Sequence, residues 1–391
     1  MPRTLTLLGI VVLTLLAIGF VLLASAGETI GVRRYHDAYY FVTQQAKGLF
    51  VALVFLAAAA FFDYHKWRQH PWLTILVYVV VVGLMAAVFL FPETKGSHRW
   101  IKIGSKQLQP SELAKIMSVI ATAVFLDRAG WRIEKFWKGA LPGVAIVGVL
   151  MGLAVAEPDF GATMVIALAG GMMCLIGGMK FVHMGIMGLI GLAGVGTLLA
   201  FNRNRMNRIA AWLPDSVASM LHLHAPDAVM SAAGNDAGYQ LDQALVAIRN
   251  GGLAGVGFGR SMQKQYYLPE AHTDFIFAIG AEEWGLIFSI ALLVLFTIFF
   301  VCGILISMRA KDDFGRLLAF GMTFLIFFQV LFNIGVVTGC LPTKGLALPF
   351  ISYGGSNMIT AMIAIGILFN VGRQIELPKF RPRSTISPDF A

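Results

Sequence analysis

An all-α, polytopic integral membrane protein of about ten spanning helices is the fold class this sequence predicts. Both termini are expected to be cytoplasmic, with one long extracytoplasmic loop between helices 7 and 8. Two observations carry that expectation. Of the 391 residues, 58% are hydrophobic and only 13% charged, and the mean hydropathy is +0.76; soluble domains lie near half apolar and a quarter charged. The apolar residues also fall into runs long enough to cross lipid, about 17–25 residues each.

The first run, residues 5–26, imitates a secretory leader, with Arg3 ahead of it and Ala24-Ser25-Ala26 closing it. It exceeds the apolar core of a leader, about 7–15 residues, and further runs follow, so it reads as a retained helix. The others lie near 42–62, 73–91, 111–127, 139–156, 160–179, 182–201, 274–308, 315–338 and 353–372. In the seventh, Gly185, Gly188, Gly191 and Gly194 recur every three residues, a pattern suited to close helix approach. The eighth is too long for one perpendicular span, and its polar start, Asp274 and then Glu282-Glu283, suits a helix lining a cavity at its outer end.

Lys and Arg bias sets the orientation. With the N-terminus inside, inner segments hold Arg3, Lys66, Arg68, Arg128, Lys180, Arg309 and Arg316 among others, and the short outer loops hold about half as many. Asp274 then faces outward. Residues 1–373 read as a single transmembrane domain that includes the 202–273 loop, and 374–391 as a cytoplasmic tail. A loop of that length is usually functional or disordered; its aromatic and apolar patches predict a segment folded over the outer face of the bundle.

Several motifs carry little. The net charge of +9 is scattered among apolar spans rather than gathered in a stripe, which excludes a nucleic-acid partner. Three cysteines, Cys174, Cys302 and Cys340, make no disulfide framework. His222 and His224 lack the further ligands of a metal set, so no structural metal is assigned. Gly255-Val256-Gly257-Phe258-Gly259 lacks the strand and helix context of a nucleotide loop and is expected to be a flexible turn near the membrane surface.

Four constellations could carry chemistry. Asp274 closes the polar stretch Tyr267–Asp274, where His272 also lies, and meets an apolar run; an ionisable group at a lipid boundary is costly unless paired, hydrated or used. Glu157-Pro158-Asp159-Phe160-Gly161 places two carboxylates between adjacent helices, as a helix cap or as a site. Glu112 and Lys115 share a face behind Pro110-Ser111, as a membrane-edge ion pair or as a contact to an anionic headgroup. Residues 333–357 hold so many Pro, Gly and Ser residues that they cannot be lipid-facing helix. They predict a re-entrant or cavity-lining turn, whose Lys344 and backbone N–H groups suit an anion such as pyrophosphate.

Together with Arg99-Trp100, Gln109–Lys115 and Gln240–Gly259, these elements resemble the shape, elongation, division and sporulation family of FtsW, RodA and SpoVE. The wording of Tyr267–Asp274 and of Pro342–Gly345 is most similar to FtsW, the division member. Glu157 stands where the family often has Gln, and Asn357 where a small Ser or Ala is usual.

The resemblance implies a peptidoglycan glycosyltransferase that polymerises lipid II into β-1,4 glycan strands at the outer face of the cytoplasmic membrane, in division or elongation. The family's essential aspartate falls on Asp274, which would act as general base on the acceptor hydroxyl. The pyrophosphate leaving group needs charge stabilisation, for which Lys115 with Glu112, Arg99, Lys344 and Arg260 are the outer-face candidates. Asp159, His272 and Ser352 complete the implied substrate-binding set. Implied partners are lipid II, the nascent glycan strand, a class B penicillin-binding protein transpeptidase and other division or elongation proteins. A divalent cation on the pyrophosphate stays open, as do two other readings, a lipid II flippase and a non-catalytic scaffold.

Overall fold

The computed structural model describes residues 1–92, 98–103, 106–200, 237–342 and 345–376. Each of the ten expected stretches falls on a helix: α1 Pro2–Tyr35, α2 Tyr40–Phe61, α4 Pro71–Ala87, α5 Pro110–Ala129, α6 Leu141–Ala156, α7 Phe160–Ile176, α8 Phe181–Ala200, α10 Ile276–Arg309, α11 Asp313–Val337 and α12 Gly355–Glu376. Among the described residues two further helices are α3, His65–Gln69, and α9, Ala237–Gly251, which lies within the expected long loop. A small antiparallel hairpin, β1 Ile101–Ile103 with β2 Lys106–Leu108, departs from a purely helical chain; Ile101 pairs with Leu108.

Among the described residues seven helices are long and apolar enough to cross a membrane, including α1, α2, α4, α10, α11 and α12, and α7 and the start of α8 are shorter apolar helices. The chain is a multi-pass membrane protein. Burial sorts the helices into centre and rim. In the most apolar stretch of α11, and likewise of α12, 67% of residues are buried, against 11% in α2. The apolar side chains that α2 and α4 leave exposed, such as Phe50, Phe61, Ile75 and Val79, are the surface that lipid would cover. Helix α5 carries Glu112, Lys115, Asp127 and Arg128, yet it is buried along nearly its whole length. It is a central helix, and its charges are satisfied by protein.

Helix α12 packs along α2, α10 along both α1 and α11, and α6 along α7. Leu5 lies against Gly372 and Met1 against Arg309, so the start of α1 and the end of α12 share one end of the bundle. Among the described residues the close approach expected of α8 is not realised: a methyl group on Gly185, Gly188, Gly191 or Gly194 would meet nothing within 4 Å. That helix touches α7 and the 136–140 turn instead.

Helix α10 is broken at Gly285, whose backbone (φ 75°, ψ −165°) no helix accommodates. The hydrogen bonds lost there are replaced by the glycine-rich segment. Val256 N–H and Gly257 N–H donate to the carbonyls of Glu282 and Glu283, and Leu286 N–H donates to the carbonyl of Gly252, each at 3.0 Å. A side chain on Gly255 would strike the Glu283 carbonyl. The expected flexible turn is therefore a fixed splint, and its glycines permit backbone-to-backbone contact where water is scarce.

Candidate active site

The segment that ends at Asp274 is irregular backbone at the head of α10, and two other elements, α11 and the 345–354 turn, hold it. Asn333, near the end of α11, donates 2.8 Å to the Asp274 carbonyl and 2.5 Å to the Leu346 carbonyl. Ser352 Oγ donates 2.5 Å to the Thr273 carbonyl and accepts from Leu348 N–H at 2.8 Å. Tyr353 N–H donates to the His272 carbonyl. Within the segment itself, Glu270 sits at φ 54° and Tyr266 at φ 70°, left-handed positions that cost a non-glycine residue energy and persist where the surroundings enforce them.

The 345–354 turn completes the cradle, and it is re-entrant as expected: Phe350 and Ile351 press on Gly19, in the middle of α1, and are buried. The Asp274 carboxylate lies directly over Gly345, where any Cβ would collide with it. Asp274 itself is half-buried, and its main chain is locked.

A second polar network backs the turn from inside. Lys115 is fully buried; its Nζ lies 2.7 Å from Glu112 Oε2 and donates 2.8 Å to Gln329 Oε1. Gln329 Nε2 donates onward to the Ala347 carbonyl at 2.8 Å and to Asn357 Oδ1 at 2.9 Å. The pair is thus enclosed by the protein. It is a buried ion pair that neutralises itself and passes its hydrogen bonds to the turn beneath Asp274. Gln45 of α2 grips the same turn from the other side, donating to the Ser352 carbonyl and accepting from Gly354 N–H.

The 157–161 loop adjoins this cradle, since Gly161 packs on the Gly345 carbonyl and Leu346. Asp159 serves as the cap of α7: its Oδ1 accepts from Ala162 N–H, and its Oδ2 accepts from Ser111 Oγ at 2.7 Å and from Gln109 Nε2 at 2.8 Å. Arg99 holds the loop through a 2.6 Å bond to the Pro158 carbonyl. Glu157 is fully buried and neither of its oxygens has a hydrogen-bond partner. Burial pushes its carboxyl up to about 8, Asp159 adds to the rise, and Arg99 opposes it.

His272 belongs to an aromatic cluster, with its ring 4.5 Å from that of Phe41 and 5.9 Å from that of Tyr353. Arg260 is exposed, in the turn that follows the splint on α10, and no described contact joins it to Asp274. Lys344 lies outside the described residues. Asp274, Ser352, His272, Asp159, Glu112, Lys115 and Arg99 thus converge on one end of the bundle, while Arg260 stands exposed beside Ser261.

Gln329, Gln45 and Asn333's role as an anchor were not anticipated. Gln329 and Asn333 stand four apart in an apolar helix and so share one face, a signal that was available. A third buried cluster lies on the same side of the molecule. Lys264 Nζ donates 2.9 Å to Ser25 Oγ and lies 3.5 Å from Glu283, while Glu282 accepts from Ser261 and Gln263 N–H. Glu282 and Glu283 do not line a cavity, as the sequence suggested; they tie the loop before Asp274 to α1 and α10.

With this geometry in view, the chain was compared with known proteins. Residues 5–376 match the family model described as cell cycle protein, which covers FtsW, RodA and SpoVE. The chain belongs to that family. It is 36% identical over 368 residues to a probable peptidoglycan glycosyltransferase FtsW of Coxiella burnetii, covering 93% of this chain and 95% of that protein. A protein of the same name from Geobacter sp. (strain M18) is 33% identical over 365 residues, covering 91% and 93%. Among solved structures, a chain of a peptidoglycan synthase complex that coordinates polymerization and crosslinking superposes with a TM-score of 0.72, at 24% identity, covering 95% of this chain and 98% of that one. Rod shape determining protein RodA of Thermus thermophilus gives 0.67 at 24% identity, covering 95% and 97%. These structures share the fold.

Proposed function

We propose that this chain is a peptidoglycan glycosyltransferase of the FtsW type, polymerising lipid II into β-1,4 strands at the outer face of the cytoplasmic membrane with Asp274 as general base. The relatives named above support the reaction class. The observation that carries the residue assignment is the hold on Asp274: its own carbonyl and that of Thr273 are pinned by Asn333 and Ser352, while its half-buried carboxylate stays over Gly345. A locked main chain beneath the carboxylate is what a base needs to meet a hydroxyl at hydrogen-bond distance.

Asp274 takes the proton of the acceptor 4-hydroxyl as that oxygen attacks the anomeric carbon of the donor. The bond to the lipid pyrophosphate breaks, and an α-linked donor becomes a β-linked product. One carboxylate suffices, since the leaving pyrophosphate requires positive charge more than a proton. We assign that role to Arg99 and Lys344. Lys115, buried and paired with Glu112, supports the turn instead of touching substrate. Among the described residues no group of three or more His, Cys, Asp or Glu side chains is disposed to hold a metal ion, and each step above uses the chain's own residues.

Ten membrane crossings, a cytoplasmic tail over 374–391 and a single-span class B transpeptidase as partner complete the reading. The partner is supported by the synthase complex with which the fold superposes. The test is reconstitution of the chain in proteoliposomes with labelled lipid II. Glycan polymer is expected; lipid movement across the bilayer without polymer would favour the flippase instead.

A further inference from the structure

Two buried polar groups beside the cradle, a carboxyl and a guanidinium nitrogen, lack hydrogen-bond partners. Glu157 is fully buried with both carboxylate oxygens unsatisfied, and the Nε of Arg99 is also buried without an acceptor. They lie within electrostatic reach, yet they form no ion pair. Arg99 is instead held by its Nη2 on the carbonyl of Pro158, next in the chain to Glu157. An ionised carboxylate buried this close to a guanidinium would be expected to close on it, because an uncompensated buried charge is expensive. Asp159 cannot relieve the pair, since its oxygens are engaged by Ala162, Ser111 and Gln109.

We propose that Glu157 is a positioning residue for Arg99 at a subsite for an anionic phosphate group: neutral, it leaves the guanidinium to the phosphate oxygens; ionised, it draws the guanidinium onto itself and sets a negative charge behind the subsite. The subsite lies at the edge of the Asp274 cradle, because Gly161 of the same loop packs on Gly345, and Gly345 carries the Asp274 carboxylate. The proposal rests on the reading that this cradle takes a lipid-linked pyrophosphate donor, and it names the residue that makes donor affinity depend on protonation.

The charged groups acting on Glu157 are Asp159, which favours the neutral form, and Arg99, which favours the ionised one. Titrating near 8, the neutral fraction falls about 25-fold from pH 7.5 to pH 9.5. An affinity that requires the neutral form weakens by the same factor.

The experiment measures KM and kcat for labelled lipid II from pH 6.5 to 9.5 in proteoliposomes, for the wild-type chain, Glu157→Gln and Arg99→Gln. Wild type is expected to show a KM that is flat below pH 7.5 and rises on the order of tenfold or more by pH 9.5. Glu157→Gln, an isosteric side chain that cannot ionise, should hold a flat KM throughout. Arg99→Gln should show a raised KM that no longer responds to pH. A rise in KM of the same size in Glu157→Gln as in wild type, or a wild-type KM independent of pH, overturns the proposal. Failure of the glycosyltransferase reading looks different: no polymer from wild type at any pH.

Discussion

The two polar ends of this helical bundle are built on different principles. At the end where α2 finishes and α11 begins, charged side chains satisfy one another. Arg68 reaches Asp127 at 2.8 Å and Asp312 at 3.5 Å, His65 reaches Asp63 at 2.9 Å, and Tyr64 donates 2.7 Å to Asp312. At the opposite end the main donors, Asn333, Ser352, Gln329 and Gln45, are spent on backbone carbonyls. Helices leave few main-chain groups to satisfy, so a latch between helix ends can be made of ion pairs. Non-helical backbone at membrane depth cannot survive without donors for its carbonyls. The irregular cradle around Asp274 is therefore held by amide and hydroxyl side chains that satisfy its carbonyls.

Replacements at the two ends should therefore differ in kind. The largest effect short of Asp274 itself is expected for Asn333→Leu, which orphans two buried carbonyls at about 1–3 kcal/mol each and unpins Asp274. Polymer synthesis should fall by at least a hundredfold, checked by gel analysis of labelled product; near-normal activity would break the distinction drawn here. Lys115→Met leaves Glu112 as an uncompensated buried charge, a loss of about 3–5 kcal/mol, to be read as a lowered Tm in detergent together with lost activity. Glu112→Gln with Lys115→Met should recover part of that Tm.

The latch gives the smallest effects. Arg68→Leu removes ion pairs whose arginine is 46% exposed, so about 1 kcal/mol is expected, with Tm slightly lower and kcat nearly unchanged. A collapse of kcat would mean that the two ends are coupled. Glu157 adds a stability test with a definite sign. Its folded-state value is raised, so stability falls as pH climbs from the ordinary carboxylate range through about 8. The Tm gap between Glu157→Gln and wild type should widen from pH 5 to pH 8 and then level off.

Much of this was legible in the sequence, for physical reasons. Run length predicts the helices because bilayer thickness sets it, and Asp274 stood out because a carboxylate at the head of an apolar run needs a reason. The spacing of Glu112 and Lys115 disclosed their pairing but not their burial, which depends on α11 bringing Gln329 to them from 214 residues away. The role of Asn333 was hidden similarly: its acceptors are main-chain carbonyls 13 and 59 residues distant, and carbonyls carry no sequence signature. The break in α10 at Gly285 and its splint at Gly252–Gly257 were read separately, as a long helix and a loose turn, because their complementarity exists only in the fold. Charge and side of the membrane nominate Arg260, and neither determines proximity.

The most direct test of Asp274 as the base compares wild type and Asp274→Asn, each reconstituted with the same class B transpeptidase partner and supplied with labelled lipid II. Asparagine preserves the shape over Gly345 and the main-chain anchors while removing the proton acceptor. The expected result is polymer from wild type and none from Asp274→Asn, with Tm within a few degrees of wild type. Polymer from Asp274→Asn at the wild-type rate would contradict the assignment.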